Sequence, residues 1–319
     1  MPARQGFATD EELKRVRAKI GQKVTINEAP HLTEVTRDSI RHWAEATGDR
    51  TPLYLDEPYA RASRYGGLIA PPCQLYAFSR ISIGYRGGLP GVHAFFAGSH
   101  WRWHEPIRLG ERIAPEVTFK DLVELPSRFA GRMFKQISLI RFPAGDGHEL
   151  AQAESWGMRV ERSAAREKSK YKKLELAAPY TAQQLDEIAR IYAEEKCRGA
   201  DPLYFEDVAI GQALPQIVRG PYTATTAVAF EQGWGGLFIK AHGYWFDYLR
   251  RHPAAGIPNA YNIPEPPEAV HWDSALARTV GVPEAYDYGP ERISWLATLL
   301  TNWIGDDGFL QKSKCQIRR

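Results

Sequence analysis

The chain has 319 residues, 44% of them apolar and 25% charged, a composition that excludes a disordered or fibrous protein and leaves room for two or three domain-sized cores. Forty-one basic against thirty-eight acidic residues leave a formal charge of +3, too little to form a nucleic-acid tract, although small anionic ligands remain compatible with it. Cys73, Cys197 and Cys315 are widely spaced and form no C-x-x-C pair, which argues against a disulfide framework or a zinc site and for a reducing compartment.

The N-terminal stretch MPARQGFATDEELKRVRAKIG has no apolar leader core, and no run approaches 18 apolar residues, so a cytoplasmic protein without a membrane span is expected. Thr36 is placed to cap a helix whose Ile40, Trp43 and Ala44 make one apolar stripe. Asp56 starts a short helix through Tyr59, Ala60 and Ser63 that stops at Gly66-Gly67. Four strand candidates follow, HAFFAGSHWRWHEP, RIAPEVTFKDLVEL, GRMFKQISLIRF and ELAQAESWGMRVER. In the last, Ala151, Ala153, Ser155 and Gly157 form a face small enough for a helix to lie close. Helices followed by an antiparallel meander describe an α+β unit. RSAAREKSKYKKLE at 162–175 is expected to be a solvated basic linker, and Thr181 with Gln184 to open an amphipathic helix that packs across the two halves.

The second half repeats the first in outline. IGQ occurs at 20–22 and again at 210–212, a helix signal follows Thr36 and again Thr223, and LYLDEPYAR at 53–61 is echoed by VHWDSALAR at 270–278. Tyr54 and His271 thus each sit just before a helix N-terminus, where unpaired amide groups point outward. The second copy carries an insertion at about 236–265, long enough to form a lid. LQKSKCQIRR is expected to form the first strand of a second meander whose remaining strands are not present. The expected division is therefore 1–160, a linker with a helix at 161–203, and 204–319.

EATGDRTPLYLDEPYARASRYGGLIAPP and VHWDSALARTVGVPEAYDYGPERISWLATLLTNWIGDDGFL together resemble the two units of MaoC-like acyl dehydratases, a resemblance that covers about residues 15 to 315. It implies a double hot-dog fold, each unit wrapping an antiparallel sheet around a central helix, the second incomplete at the C-terminus. It also implies (R)-specific enoyl-CoA hydratase or 3-hydroxyacyl-thioester dehydratase chemistry, with no metal or redox cofactor. The family motif Asp-x-Asn-Pro-x-His-x-Asp places an Asp and a His as the catalytic pair. The first unit keeps Asp49 but has Tyr54 in the histidine position, and a phenol with a reference pKa of about 10 is a poor proton carrier at neutral pH. That unit is expected to be structural. The second unit keeps His271 and Asp273 but has Pro266 in place of the first aspartate.

Adding water to an enoyl thioester needs a base for the water, an acid for Cα and donors for the charge that develops on the thioester oxygen. His271 suits one of the first two roles, with a structural helix-flanking histidine as the plainer alternative. Asp273 reads as a helix cap. Glu265, Glu268 or Asp287 can supply the missing carboxylate. Gly281 and Gly289 mark turns whose amides can hold an oxyanion, and Tyr288, Trp234, His242 and Arg292 are candidates for substrate contact, Arg292 toward a CoA phosphate or, equally, as a salt-bridge partner. For His242, on the apolar stripe of the inserted helix, a core position is the competing expectation, as aromatic packing is for Trp234. The partners expected are an acyl-CoA substrate and further protein chains, in a homo- or hetero-oligomer that completes the second sheet, with no nucleic acid and no membrane. Two other functions fit the same scaffold: a non-catalytic or half-catalytic acyl-CoA-binding subunit, and a thioesterase.

Overall fold

The computed structural model describes residues 8–24, 29–79, 89, 92–126, 132–161, 178–236, 240–253, 255–279 and 282–317. In chain order the elements are helices α1 (Asp10–Arg17), α2 (Arg37–Thr47), α3 (Pro52–Leu55), α4 (Glu57–Ala62) and α5 (Leu75–Phe78), then strands β1 (Val92–Trp103), β2 (Glu116–Leu125), β3 (Met133–Pro143) and β4 (Glu149–Glu161). The second half contributes α6 (Ala182–Glu194), α7 (Ala224–Trp234), α8 (His242–Arg251), β5 (Ile257–Pro258), β6 (Pro264–Glu265), α9 (Ser274–Thr279), α10 (Gly289–Ile304) and β7 (Lys312–Gln316). Among the described residues no helix is long and apolar enough to cross a membrane. The basic stretch 162–175 lies outside the described residues, as does Gly281.

The two halves build matching local structures from the same cap residues. α2 begins at Thr36, whose hydroxyl accepts from the Ser39 amide at 3.1 Å, and ends at Gly48 with φ of 70°. α7 begins at Thr223, whose hydroxyl accepts from the Thr226 amide at 3.3 Å, and ends at Gly235 with φ of 80°. Each helix is 11 residues long and stops where only glycine takes up the left-handed conformation without strain. The short turns that follow also correspond. Asp56 caps α4 by accepting from the Tyr59 amide at 3.0 Å, and Asp273 caps α9 by accepting from the amides of Ala275 and Leu276 at 2.8 and 3.1 Å.

α2 and α7 cross at close range because Gly233 has no side chain, since a Cβ there would stand 2.9 Å from the His42 carbonyl oxygen and 3.0 Å from the Ala46 Cβ. Trp43 and Phe230 then meet at 5.8 Å between ring centroids. Phe230 is fully buried, a contribution of about 1.5–3 kcal/mol from its side chain alone.

All four expected strands of the first half form one antiparallel sheet, in the order β2-β3-β4-β1-β7. The small face of β4 is buried at Ala151, Ala153, Ser155 and Gly157, as its composition requires. LQKSKCQIRR forms a strand, β7, but against expectation it does not open a separate second meander among the described residues: it extends the first half's sheet by pairing with β1, Cys315 opposite Ser99 and Ser313 opposite Trp101. Gly98 makes this junction possible. It stands at the β1 bulge with φ of 147°, and a Cβ there would lie 2.3 Å from the Cys315 carbonyl oxygen.

α10 ties the halves together. One side buries Ile293, Ala297, Thr298 and Asn302 against the first half, where Thr298 donates to the Asp49 carboxylate at 2.9 Å and Thr51 donates to Asn302 at 3.1 Å. Its other side is more open, with Leu296 at 47% exposure beside half-buried Trp295, Leu299 and Leu300. α6 departs from expectation. Ile191 is its one buried residue, so it lies on the surface and reaches the rest of the chain through its end, where Tyr192 contacts Gly220 and Glu195 pairs with Arg219. Arg219 in turn donates to the carbonyls of Thr47 and Gly48, which carries the link into the first half.

Candidate active site

Pro266 and Pro267 start a single turn of 3-10 helix, Pro267–His271, and the Asp273 cap fixes where the next helix begins. Between these two constraints the His271 side chain is turned inward, and the residue retains 9% exposure. Its Nδ1 lies 2.6 Å from the carbonyl oxygen of Tyr286. A carbonyl only accepts, so Nδ1 carries the proton and Nε2 keeps a lone pair. Burial pushes the imidazole pKa down to about 4, and the bond to Tyr286 opposes this only in part, so the ring is neutral at physiological pH.

The ring sits in an aromatic nest, with Tyr288 at 3.7 Å and Tyr286 at 4.5 Å between centroids. Behind Tyr288 stand Phe230 and Trp234, each at 5.2 Å. Trp234 is buried and its indole N–H donates to the Tyr76 carbonyl at 3.1 Å. Tyr288 and Trp234 are therefore brought to His271.

Carboxyl groups gather around this nest. Glu268 is buried at 4% exposure on the same turn as His271. Asp287 receives two bonds from the Arg292 guanidinium, Nε to Oδ2 at 2.6 Å and Nη2 to Oδ1, and this pairing holds the Arg292 pKa above its ordinary value. Asp287 and Arg292 thus serve each other, and Glu265 accepts from the Asn259 amide group within the β5–β6 hairpin.

Two groups that the sequence motifs do not mark complete the cluster, Glu231 on α7 and Glu291 in the first turn of α10. Glu291 is fully buried, and its Oε2 accepts from the Tyr288 amide at 3.3 Å. Burial first, with Asp287 and Glu231 adding, pushes its pKa up to about 8. The Tyr288 phenol is raised far above its ordinary value, by burial and then by Glu231 and Glu268. Tyr222, just before α7, is raised by burial, Glu291, Asp287 and Glu231. Acids this close and this dry do not all ionise at neutral pH. Glu291 carried a legible signal only as a helix-start residue, since Gly-Pro-Glu reads as a capped first turn, and nothing in it announces burial.

The remaining candidates are placed as follows. Gly289 opens α10 and admits Phe96, whose Cδ1 would lie 2.2 Å from a Cβ at that position. His242 corrects the expectation of a core or pocket position. It is exposed at the first residue of α8 with φ of 56°, and the buried stripe of that helix is formed by Trp245 and Tyr248.

The cognate position in the first half is built differently. Asp49 is buried and accepts from the Thr51 amide, the Thr51 hydroxyl and the Thr298 hydroxyl at 3.0, 2.6 and 2.9 Å. Tyr54 is buried, and its pKa is raised well above the ordinary value by burial and then by Asp49. A cleft of about 50 Å³ opens here, beside Tyr54, Tyr65, Trp103 and Thr301. It is room for a few waters. His271, by contrast, is covered by its tyrosines.

Residues 19–133 match the family described as FAS1-like, dehydratase domain region. A UPF0336 protein of Thermobifida fusca (strain YX) is 30% identical over 103 residues, 31% of this chain and 68% of that one. A 3-hydroxybutyryl-CoA dehydratase of Methylorubrum extorquens is 30% identical over 100 residues, 31% of this chain and 61% of that one. The alpha subunit of a 3-oxo-4,17-pregnadiene-20-carboxyl-CoA hydratase of Mycobacterium tuberculosis is 38% identical over 50 residues, 16% of each chain. The chain spans less than two thirds of the length of several curated relatives it matches. Among solved structures, a MaoC-like dehydratase superposes with a TM-score of 0.64 at 17% identity, covering 95% of this chain and 84% of that one, a likeness of fold. The family match lies in the first half, whereas this structural likeness covers 95% of the chain.

Proposed function

Because the chain belongs to the MaoC-like hot-dog dehydratase family, we propose that it adds water to an enoyl-CoA thioester or removes it from a 3-hydroxyacyl-CoA, with His271 as the base. The observation that carries this reading is the buried, neutral imidazole whose Nδ1 proton is held by the Tyr286 carbonyl, which leaves Nε2 to accept. In hydration, Nε2 takes a proton from water, the hydroxyl bonds to Cβ, the π electrons move to the thioester oxygen as an enolate, and a carboxyl group delivers a proton to Cα. Dehydration runs the same steps backward. Amides of the first turn of α10, where Gly289 stands, are the donors for the enolate oxygen. The scheme uses protein side chains and the CoA thioester alone.

The reading extends to the architecture. Two hot-dog units, 1–160 and 204–319, are joined by 161–203, with an insertion at about 236–265 in the second. The paired caps at Thr36 and Thr223, and at Asp56 and Asp273, support this duplication.

A panel of enoyl-CoA thioesters of different chain length tests the reaction. Loss of the conjugated double bond with the thioester intact is the expected result, and release of free thiol instead assigns a thioesterase. Proteins in which neither occurs, with wild type and His271→Ala alike, remove the reading.

A second reading rests on the open side of α10 and on β7, the end strand in its sheet's order. In it the chain is a non-catalytic or half-catalytic acyl-CoA-binding subunit completed by strands from another chain, an arrangement in keeping with the relative named as an alpha subunit. Cooperative unfolding of a stable monomer contradicts it.

A further inference from the structure

The second unit lacks the aspartate that the family motif places before its histidine, because Pro266 stands there. A proton donor for Cα must therefore come from elsewhere; of the carboxyls suggested by the sequence, Asp287 is clasped by Arg292, Glu265 belongs to the hairpin, and Glu268 shares the turn of His271 and faces Tyr288. We propose that Glu291, in the first turn of α10, is the proton-donating carboxyl that acts with His271.

The geometry has three parts. Glu291 is fully buried, so its carboxyl group is shielded from the solvent that would otherwise compete for its proton. One oxygen, Oε2, is anchored by the Tyr288 amide, which fixes the carboxyl plane. The other oxygen, Oε1, has no hydrogen-bond partner among the described residues, and neither has the hydroxyl of Tyr222, one of the groups raised by Glu291. Two buried polar atoms of this kind are costly unless something polar visits them. Tyr288 connects the parts, since its amide holds Glu291 and its ring lies against His271 at 3.7 Å.

The surroundings agree with a carboxyl group that starts protonated. Asp287 and Arg292 face Glu291 from its own segment, Glu231 faces it from α7, and Tyr222 from the stretch before α7, while Glu268 reaches Tyr288 from the turn that carries His271. Arg292 is the one cation among them; it pairs with Asp287 and opposes the rise of the Glu291 pKa only in part. Imidazole and carboxyl are thus pushed apart in the sense that makes the imidazole an acceptor and the carboxyl a donor. The balance closes. Water gives a proton to Nε2 and its hydroxyl to Cβ, Glu291 gives its proton to Cα, and the imidazolium then returns a proton to the carboxylate. As Glu291 loses its proton, the new negative charge favours the imidazolium, so each transfer assists the other.

This assignment rests on the hydratase reading above, and the test separates the two. Glu291→Gln keeps an oxygen for the Tyr288 amide and removes the transferable proton. Its kcat is expected to fall about 10²- to 10⁴-fold with a smaller change in KM. Glu291→Asp is expected to recover part of that loss. The wild-type kcat profile is expected to fall on an alkaline limb near pH 8 that is absent from the residual activity of Glu291→Gln. Wild-type turnover without such a limb overturns the assignment even if the Gln variant does not fold. A Gln variant within about threefold of wild type, while His271→Ala is inactive, overturns the assignment and leaves the hydratase reading standing. A wild type inert toward every thioester removes both. As a readout independent of turnover, the infrared difference spectrum of wild type against Glu291→Gln is expected to contain a protonated-carboxyl band at pH 6.5 that disappears above about pH 9, and a carboxylate band at pH 6.5 contradicts it.

Discussion

The carbonyl of Tyr286 holds Nδ1 of His271 at 2.6 Å and so decides which nitrogen of the ring is left to accept a proton. The same burial makes the ring a source of acid sensitivity. Above about pH 6.5 the imidazole is neutral whether the chain is folded or not, and its full contribution is present. As pH falls below that, the unfolded chain takes up a proton that the folded chain refuses down to about pH 4, so stability is lost across this window. Between pH 6.5 and 5 the wild type is expected to lose about 2 kcal/mol more than His271→Asn, from about 1.36 kcal/mol per pH unit. Urea unfolding at the two pH values measures this, and parallel losses in the two proteins contradict it.

Glu291 has the opposite sign. Its pKa is raised to about 8, so the unfolded chain ionises first and stability falls as pH rises from about 4.5 toward 8. Glu291→Gln carries no such penalty and is expected to gain on the wild type by about 1.4 kcal/mol per unit across that interval. Denaturant midpoints at pH 5.5 and 7.5 decide the matter, and a constant difference between the proteins would be the contrary result.

The first half's Asp49 and Tyr54 are read as structural. Tyr54→Phe removes a hydroxyl from a buried phenol, and turnover is expected to stay within about twofold of wild type while stability drops by about 1 kcal/mol. A loss of turnover comparable to that of His271→Ala would move the chemistry to the cleft beside Tyr54.

Gly233 tests the way the two halves are joined. Valine there gains about 0.5 kcal/mol of helix propensity over glycine, but its Cβ would press on the His42 carbonyl oxygen at 2.9 Å, an overpacking cost of about 1–3 kcal/mol. A lower Tm is expected for Gly233→Val, and an unchanged one would mean that α2 and α7 separate easily.

Much of this architecture was legible in the sequence because it rests on local chemistry. Thr36, Thr223, Thr181, Asp56 and Asp273 each cap the helix their spacing announces, and all four strands of the first meander lie where alternation puts them. The site was less legible. His271, Glu268, Tyr288 and Trp234 were singled out because they surround a motif, but Glu231 and Glu291 come from helix turns whose burial depends on how α7 and α10 pack, a tertiary fact. His242 was misplaced for the converse reason, since a helix stripe does not show which residue starts the helix. The pairing of Asp287 with Arg292 at i and i+5 crosses the start of α10 and has no periodic signature.

The account stands on His271, and the most direct measurement is kcat/KM for enoyl-CoA hydration by wild type and His271→Ala at pH 7. A fall of about 10²- to 10⁴-fold, with near-UV spectra that superpose, is the predicted result. Equal rates in two equally folded proteins would contradict it.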